Sequence, residues 1–300
     1  MSHRDSKNAV IFGSAGQLGV ELMRVFRQRG YEVQGYDRDV IDICDASAVE
    51  AVLARADPAL VINAAAYNMV DVAEHEPAAA FQANALAVRN VAMACRQVDA
   101  RLVHYSTDYV FDGTAGRPYT EHDKPHPLGA YAVSKYAGEL YAEAYLESPL
   151  IVRTSGLFGP GGLHTARGNF IELMLRLAGG SQPIRVVEDH VASPAYAPAL
   201  AERTAQLVER DAAGVFHVGG GTPISWFEFA RLIFRIAGVA PVLKPTSERE
   251  YRTEAKRPRF SALSNAKMEA FGITPMPSME AAVADYFERR KEHAARPSAS

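Results

Sequence analysis

Ala9-Val10-Ile11-Phe12-Gly13-Ser14-Ala15-Gly16-Gln17-Leu18-Gly19 runs from a short apolar stretch into a glycine-spaced turn, and helix-period apolar residues follow to Phe26. Strand, tight turn and helix in that order make a glycine pattern a dinucleotide-binding signal. One glycine permits the turn, one lets backbone approach a pyrophosphate, and Gly19 lets the helix pack on the strand. The N–H groups that open the helix then face the phosphates. Gly13, Ala15, Gly16, Gln17, Leu18 and Gly19 are the candidate cofactor-binding residues of this turn.

The same alternation of apolar runs and helix-period segments continues through 32–36, 46–54 and 60–63, a βαβαβ rhythm. Two more apolar runs, 102–104 and 150–152, are separated by helix-like stretches at 78–98 and 131–145. Continuous apolar strands suit a parallel sheet covered on both faces. The expected fold is α/β: a doubly wound, Rossmann-like parallel sheet with a smaller C-terminal α/β substrate lobe. The expected division is residues 1–155 for the dinucleotide-binding domain and 156–300 mainly for the second lobe. A helix at 199–208 and a strand at 214–218 are candidates to return to the main sheet near 198–220.

The chain has 300 residues, 48% hydrophobic and 22% charged, ample for a buried core and unlike a disordered sequence. Its 32 Lys and Arg against 35 Asp and Glu give a net charge of -3. That balance removes the whole-chain electrostatic argument for nucleic acid or an anionic membrane as partner, so an anionic ligand must be held locally. Two cysteines, Cys44 and Cys95, form no CxxC pair and fit a reducing compartment, the cytoplasm. Residues 1–8 are polar, no stretch approaches the ~20 apolar residues of a membrane span, and the tail 293–300 reads as a frayed end.

Asp37 closes the second strand about 20 residues after the turn, where a carboxylate could accept from an adenosine ribose 2′-OH and favour NADH. Arg38 beside it could pair with a 2′-phosphate and favour NADPH. Both cofactors stay open. Asp42 and Ile43, in a helix-entry turn, could flank the adenine.

Tyr131 and Lys135 stand four apart and share one face of a helix. A free tyrosine titrates near pH 10, so proton transfer near neutrality asks for ~3–4 kcal/mol of phenolate stabilisation, part of which an ammonium can supply. Such a pair gains meaning from Tyr105-Ser106-Thr107-Asp108-Tyr109-Val110-Phe111, at the C-terminal end of the fourth strand, where open α/β sheets place ligands. Thr107 could hydrogen-bond a carbonyl oxygen, Tyr131 could protonate it, and Lys135 could hold a cofactor ribose. That set describes a carbonyl reductase. Ser106 is the competing hydroxyl, and because strand neighbours face opposite ways only one of the two can serve.

The GxxGxxG turn, Asn63-Ala64-Ala65-Ala66, the 106–111 run and the Tyr131/Lys135 pair together resemble the extended short-chain dehydrogenase/reductases, and more narrowly the dTDP-4-dehydrorhamnose reductase family. The likeness runs from Val10 to about Gly272 and includes Val70-Asp71-Val72-Ala73-Glu74, Arg153-Thr154-Ser155, Gly168-Asn169-Phe170 and Arg257-Pro258 with Ser261 and Leu263. It implies Thr107, Tyr131 and Lys135 as catalytic residues and NADPH or NADH as hydride donor. Ala64, Ala65 and Ala66 would lie beside the cofactor. A nucleotide-linked 4-keto-6-deoxy sugar would sit between the lobes, with Asp108, Asn169 and Arg257 among its contacts. Asn169 reads equally as a helix N-cap, and Arg257 could pair with a diphosphate or belong to a solvated basic loop. A homodimer through the 78–98 helix stays open.

Departures from the family pattern carry information. Related dehydratases continue the threonine motif with Asp-Glu, whereas this chain has Asp108-Tyr109, which favours reduction. Gly156 stands where the reductases have a tryptophan against the sugar, implying a lost aromatic surface. Asp189-His190-Val191-Ala192-Ser193-Pro194-Ala195 replaces Asp-Gln-x-Gly-x-Pro-Thr. An epimerase or dehydratase, or a non-catalytic NAD(P)-binding subunit, are the rival readings. His122, His126, His164 and His190 follow no metal-ligand spacing, so no catalytic metal is expected. Trp226, Phe227, Phe229, Leu232 and Ile233 have the helical spacing of core residues.

Overall fold

Alternation along β1 (Asn8–Phe12) divides the core in two: Ala9 and Ile11 point to one face of the sheet, Val10 and Phe12 to the other. The computed structural model describes residues 7–165 and 168–295; residues 1–6, 166–167 and 296–300 and the side chains of residues 164 and 293–295 lie outside the described residues. After β1 come α1 (Gln17–Gln28), β2 (Glu32–Tyr36), α2 (Ala46–Ala56), β3 (Leu60–Asn63), α3 (Pro77–Phe81), α4 (Ala87–Gln97), β4 (Arg101–Thr107), α5 (Ala130–Tyr145) and β5 (Leu150–Thr154). The second half supplies α6 (Phe170–Ala178), β6 (Ile184–Val187), α7 (Ala197–Glu209), β7 (Gly214–His217), α8 (Trp226–Ala237), β8 (Leu243–Thr246) and α9 (Met279–Ala295).

Six parallel strands form the main sheet in the order β7-β5-β4-β3-β1-β2. The order reverses after β1, as in a doubly wound sheet. Leu22, Val25 and Phe26 of α1 pack with Leu200 and Ala205 of α7 on one face; Val49 and Leu53 of α2 with Val88, Val91 and Cys95 of α4 cover the other. The strand expected at 214–218 therefore returns to the sheet and pairs with β5 from Leu150 to Arg153. A separate apolar cluster joins Phe158, Ile171, Met174, Phe229, Ile233, Val283 and Tyr286, beside the parallel pair β6–β8.

The single helix expected over 78–98 is interrupted. A π turn at Gln82–Leu86 separates α3 from α4. Gly138 of α5 lies directly on the Asn84 carbonyl, where a Cβ would overlap it, and this close approach accommodates the extra residue of the turn. No helix among the described residues is long and apolar enough to cross a membrane.

Candidate functional site

The glycine turn is a cradle closed by backbone. Gly13 has φ +77°, and a Cβ on it would stand 2.7 Å from Ala65 N. A Cβ on Gly19 would overlap the Gly13 carbonyl, so α1 packs on the turn only through glycine. Ala64 N donates to Phe12 O at 3.0 Å and Ala65 N to Asn63 Oδ1 at 3.2 Å, which holds the 64–66 run over the turn. At Gly16 no side chain caps α1, and its first turn carries no acidic residue. Its opening N–H groups lack intrahelical acceptors and suit a diphosphate. Gln17 donates to Leu157 O at 3.1 Å, and its Oε1 is buried without a partner. A Cβ on Gly161 would meet Gln17 Cα at 2.8 Å, so the second half of the chain closes on the cradle with its own glycines. Leu18 turns its side chain into the core and leaves its backbone to the cradle.

Two expectations about the adenosine end change. Asp37 is expected to face a ribose, but its carboxylate is built into the turn: it accepts from Ala15 N at 2.9 and 2.8 Å and from Ser14 Oγ at 2.9 Å. Gly35 allows this by letting the end of β2 approach Ser14, where a Cβ would come within 2.7 Å of Ser14 Cβ. Ile43 is 7% exposed and packs its side chain into the core under α2. Asp42 accepts from Cys44 N at 2.9 Å, a bond that holds its carboxyl below the usual range. Arg38 is exposed beside them.

At the end of β4 the choice between the two hydroxyls is made by the pleat. Ser106 donates to Glu139, the carboxylate that also binds Arg153 at 2.9 and 2.6 Å in a buried pair. Thr107, on the opposite side, accepts from Tyr109 N at 3.2 Å and donates to Asp108 Oδ1 at 3.2 Å, with the phenol of Tyr131 beside it. Tyr131 reaches it from the first turn of α5, whose Ala130 N–H is capped by Glu74 Oε1 at 2.8 Å. The structure thus brings Thr107, Asp108 and Tyr131 together.

Lys135 shares the helix face of Tyr131 but binds backbone instead. Its Nζ is buried and donates to Tyr105 O at 2.6 Å, and burial pushes it down to about 8. Tyr131, for its part, is raised: burial disfavours the phenolate, as do Asp108 and Tyr109, against the Thr107 hydrogen bond. The lysine-assisted lowering expected from the four-residue spacing is therefore not produced by the protein's own side chains. Asp108 is 2% exposed and accepts from Ser155 Oγ at 2.9 Å and Ser261 Oγ at 2.6 Å.

On the wall opposite, Asn169 takes the N-cap reading of the two that its position offered. Asn169 caps α6 by accepting from Glu172 N at 3.1 Å, and its amide donates to Gly159 O at 3.2 Å. Arg257 is not a solvated loop residue: it binds Asp71 with two bonds of 2.9 and 2.7 Å. Trp226, expected as core, is half-buried against Phe170, and a Cβ on Gly156 would meet its ring at 2.9 Å. An indole from α8 thus stands over the position left bare by Gly156. His190 is 7% exposed, 3.7 Å from Glu248, with Nε2 lacking a hydrogen-bond partner. His122 and His126 are exposed, and no group of three or more His, Cys, Asp or Glu among the described residues could hold a metal.

Sequence reasoning missed the partners that organise these groups: Ser155 and Ser261 on Asp108, Glu139 under Ser106, and Asn84. The Asn84 amide holds Tyr67 N and O, each at 2.8 Å, and Ser134 Oγ at 3.0 Å, tying the segment after β3 to α5. An asparagine inside a helix-period segment is the signal that could have marked it.

The RmlD substrate binding domain model matches residues 7–292. The spore coat polysaccharide biosynthesis protein SpsK of Bacillus subtilis is 35% identical over 281 residues, 94% of this chain and 97% of that protein. The dTDP-4-dehydrorhamnose reductase of Streptomyces griseus is 36% identical over 295 residues, 96% of this chain and 95% of its own. The crystal structure of dTDP-4-dehydrorhamnose reductase from Bacillus anthracis in complex with NADP superposes with a TM-score of 0.90 at 35% identity, covering 95% of this chain and 99% of that one.

Proposed function

The chain belongs to the RmlD substrate binding domain family, and on that premise we propose that it reduces the 4-keto group of a nucleotide-linked 6-deoxy sugar, as a Thr-Tyr-Lys reductase. It is a sugar-nucleotide reductase dependent on NADPH or NADH. The residues present fit the cofactor. The cradle leaves no room for a Cβ at Gly13 or Gly19, and α1 opens without a cap or an acidic side chain. When bound there, NADPH or NADH supplies the hydride. Gly13, Gly16, Gly19 and the first N–H groups of α1 would hold its diphosphate, with Ala64, Ala65 and Ala66 alongside and Arg38 near the adenosine.

The observation that carries this reading is the convergence at the C-terminal end of β4 of Thr107, which accepts from Tyr109 N, and Tyr131, whose ring meets Tyr109 edge-on. Burial keeps Tyr131 protonated at neutral pH, the state an acid needs. The reaction adds hydride to the carbonyl carbon and a proton to its oxygen, and in this reading the proton comes from the Tyr131 hydroxyl. Thr107 polarises the oxygen. Lys135, already charged below about pH 8, would hold the cofactor ribose and restrain the tyrosine. In this reading Asp108, Asn169 and Arg257 would line the substrate side, and Arg257 would exchange part of its Asp71 partnership for diphosphate oxygens.

Tyr131→Phe is the test. Turnover of a dTDP-linked 4-keto-6-deoxy sugar, read as NADPH oxidation, is expected to fall ~10²–10⁴-fold while NADPH still binds. Retained turnover overturns the assignment. The exposed apolar residues Phe81, Val133 and Leu140, on α3 and α5, make these helices the face a homodimer would cover. The two free thiols, Cys44 and Cys95, fit the cytoplasm as its compartment.

A further inference from the structure

Asp108 is a buried carboxylate whose partners are hydroxyls rather than a cation. Its Oδ2 accepts from Ser155 at 2.9 Å and from Ser261 at 2.6 Å, while Oδ1 accepts from Thr107 at 3.2 Å. A threonine hydroxyl has a single proton to donate. The proton that Thr107 gives to Asp108 is therefore the one that a carbonyl oxygen in the cleft would need from it. With that proton committed, Thr107 offers only lone pairs, one of them already taken by Tyr109 N.

We propose that Asp108 is a positioning residue that steers the Thr107 hydroxyl: ionised, it holds the threonine proton away from the cleft; protonated, it donates to Thr107 Oγ1 and turns that proton toward the substrate carbonyl. This inference rests on the reductase reading above. Only a proton is added to the carboxyl group, and no electrons move. The Oδ1–Oγ1 hydrogen bond reverses its donor, and both serines keep donating to Oδ2.

Burial pushes Asp108 up to about 6 against the lowering by Ser261, Ser155 and Thr107, so both forms are reached within an ordinary assay range. The titratable groups around it are fixed near that pH. Tyr131 on α5 and Tyr109 on the same turn are both raised by burial, and Tyr109 meets Arg257, itself raised and paired with Asp71. Lys135 turns its Nζ to the Tyr105 carbonyl and keeps its charge up to about pH 8.

The experiment is the pH profile of kcat/KM from about pH 5 to about pH 8 for the full chain, Asp108→Asn and Asp108→Ala. An asparagine can place its amide donor toward Thr107 and its carbonyl toward the two serines, which imitates the protonated acid. Wild type is expected to fall roughly tenfold per pH unit above an inflection near 6. Asp108→Asn should lose several-fold at low pH and give a flat profile, while Asp108→Ala loses roughly a hundredfold throughout. An Asn variant that keeps the inflection, or one no better than Ala, overturns the proposal. The difference infrared spectrum between wild type and Asp108→Asn gives a reading independent of turnover. A protonated-carboxyl band should grow in as pH falls through about 6, and its absence overturns the proposal. If wild type reduces no nucleotide-linked 4-keto sugar, the reductase reading fails and the infrared titration alone decides for or against Asp108.

Discussion

The two walls of the cleft are made differently. On the sheet side, the cradle uses consecutive backbone at strand ends, Gly13 to Gly19 after β1 and residues 64–66 after β3. On the other side, single residues converge from distant segments: Gly156 after β5, whose missing Cβ leaves room for the Trp226 ring that opens α8, and Arg257 crossing to Asp71. Backbone at the end of a buried strand is fixed by the sheet, so its tolerances are steric and near zero. Residues meeting across a gap constrain each other in pairs, as Gly156 and the Trp226 ring do, so a change on that wall falls on the pair and leaves the backbone of the cradle in place.

The largest effect is expected on the sheet side. Gly19→Ala places a methyl in the Gly13 carbonyl and 2.7 Å from Ser14 Cα. Neither is the flexible end of a side chain, so α1 must move off the turn. NADPH affinity, followed by nucleotide fluorescence, should fall at least ~100-fold, about 2.7 kcal/mol. Binding that survives within a few-fold would show that the cradle is softer than its packing says.

An intermediate effect is expected opposite. Gly156→Trp drives an indole into the ring of Trp226, an overpacking that costs about 1–3 kcal/mol. The sugar KM should rise while NADPH affinity holds. Trp226→Ala alone should also raise it, and the double variant should recover part of the loss, a coupling of about 0.5–3 kcal/mol in a double-mutant cycle. Additive losses would mean that Trp226 is packing only and that the two walls are less different than they look.

The same contrast explains what could be read in advance. Strands at 9–12, 32–36 and 60–63 are continuous apolar or alternating runs, and the period-two rule showed that only one of Ser106 and Thr107 could face the cleft without saying which. The break in 78–98 was not, because Gly138 makes room for it from a segment some 50 residues on, in contact with Asn84. Nor was the tyrosine's environment: the spacing of Tyr131 and Lys135 is local, but burial and the Asp108 carboxylate that raise Tyr131 come from tertiary packing. Ser155 and Ser261 were visible as motif residues, yet their meeting on one carboxylate across 106 positions is a property of the fold. Asp37 shows that a motif residue can sit where expected and bind something else, here Ser14 and Ala15.

The smallest effect concerns the side chains that follow β2, beside the backbone of the cradle. With the Asp37 carboxylate held by Ala15 N and Ser14 Oγ, it is occupied by the turn, and the exposed guanidinium of Arg38 is the group beside it free to meet a 2′-phosphate. An exposed charge pair of this kind contributes about 1 kcal/mol, and salt screens it. Arg38→Ala should therefore lower the NADPH-to-NADH ratio of kcat/KM about fivefold at low ionic strength and less at high. The cradle itself should not notice, and NADH parameters should stay put. A ratio unchanged at low salt would return the choice of cofactor to backbone and Asp37, making the whole sheet-side wall of one kind.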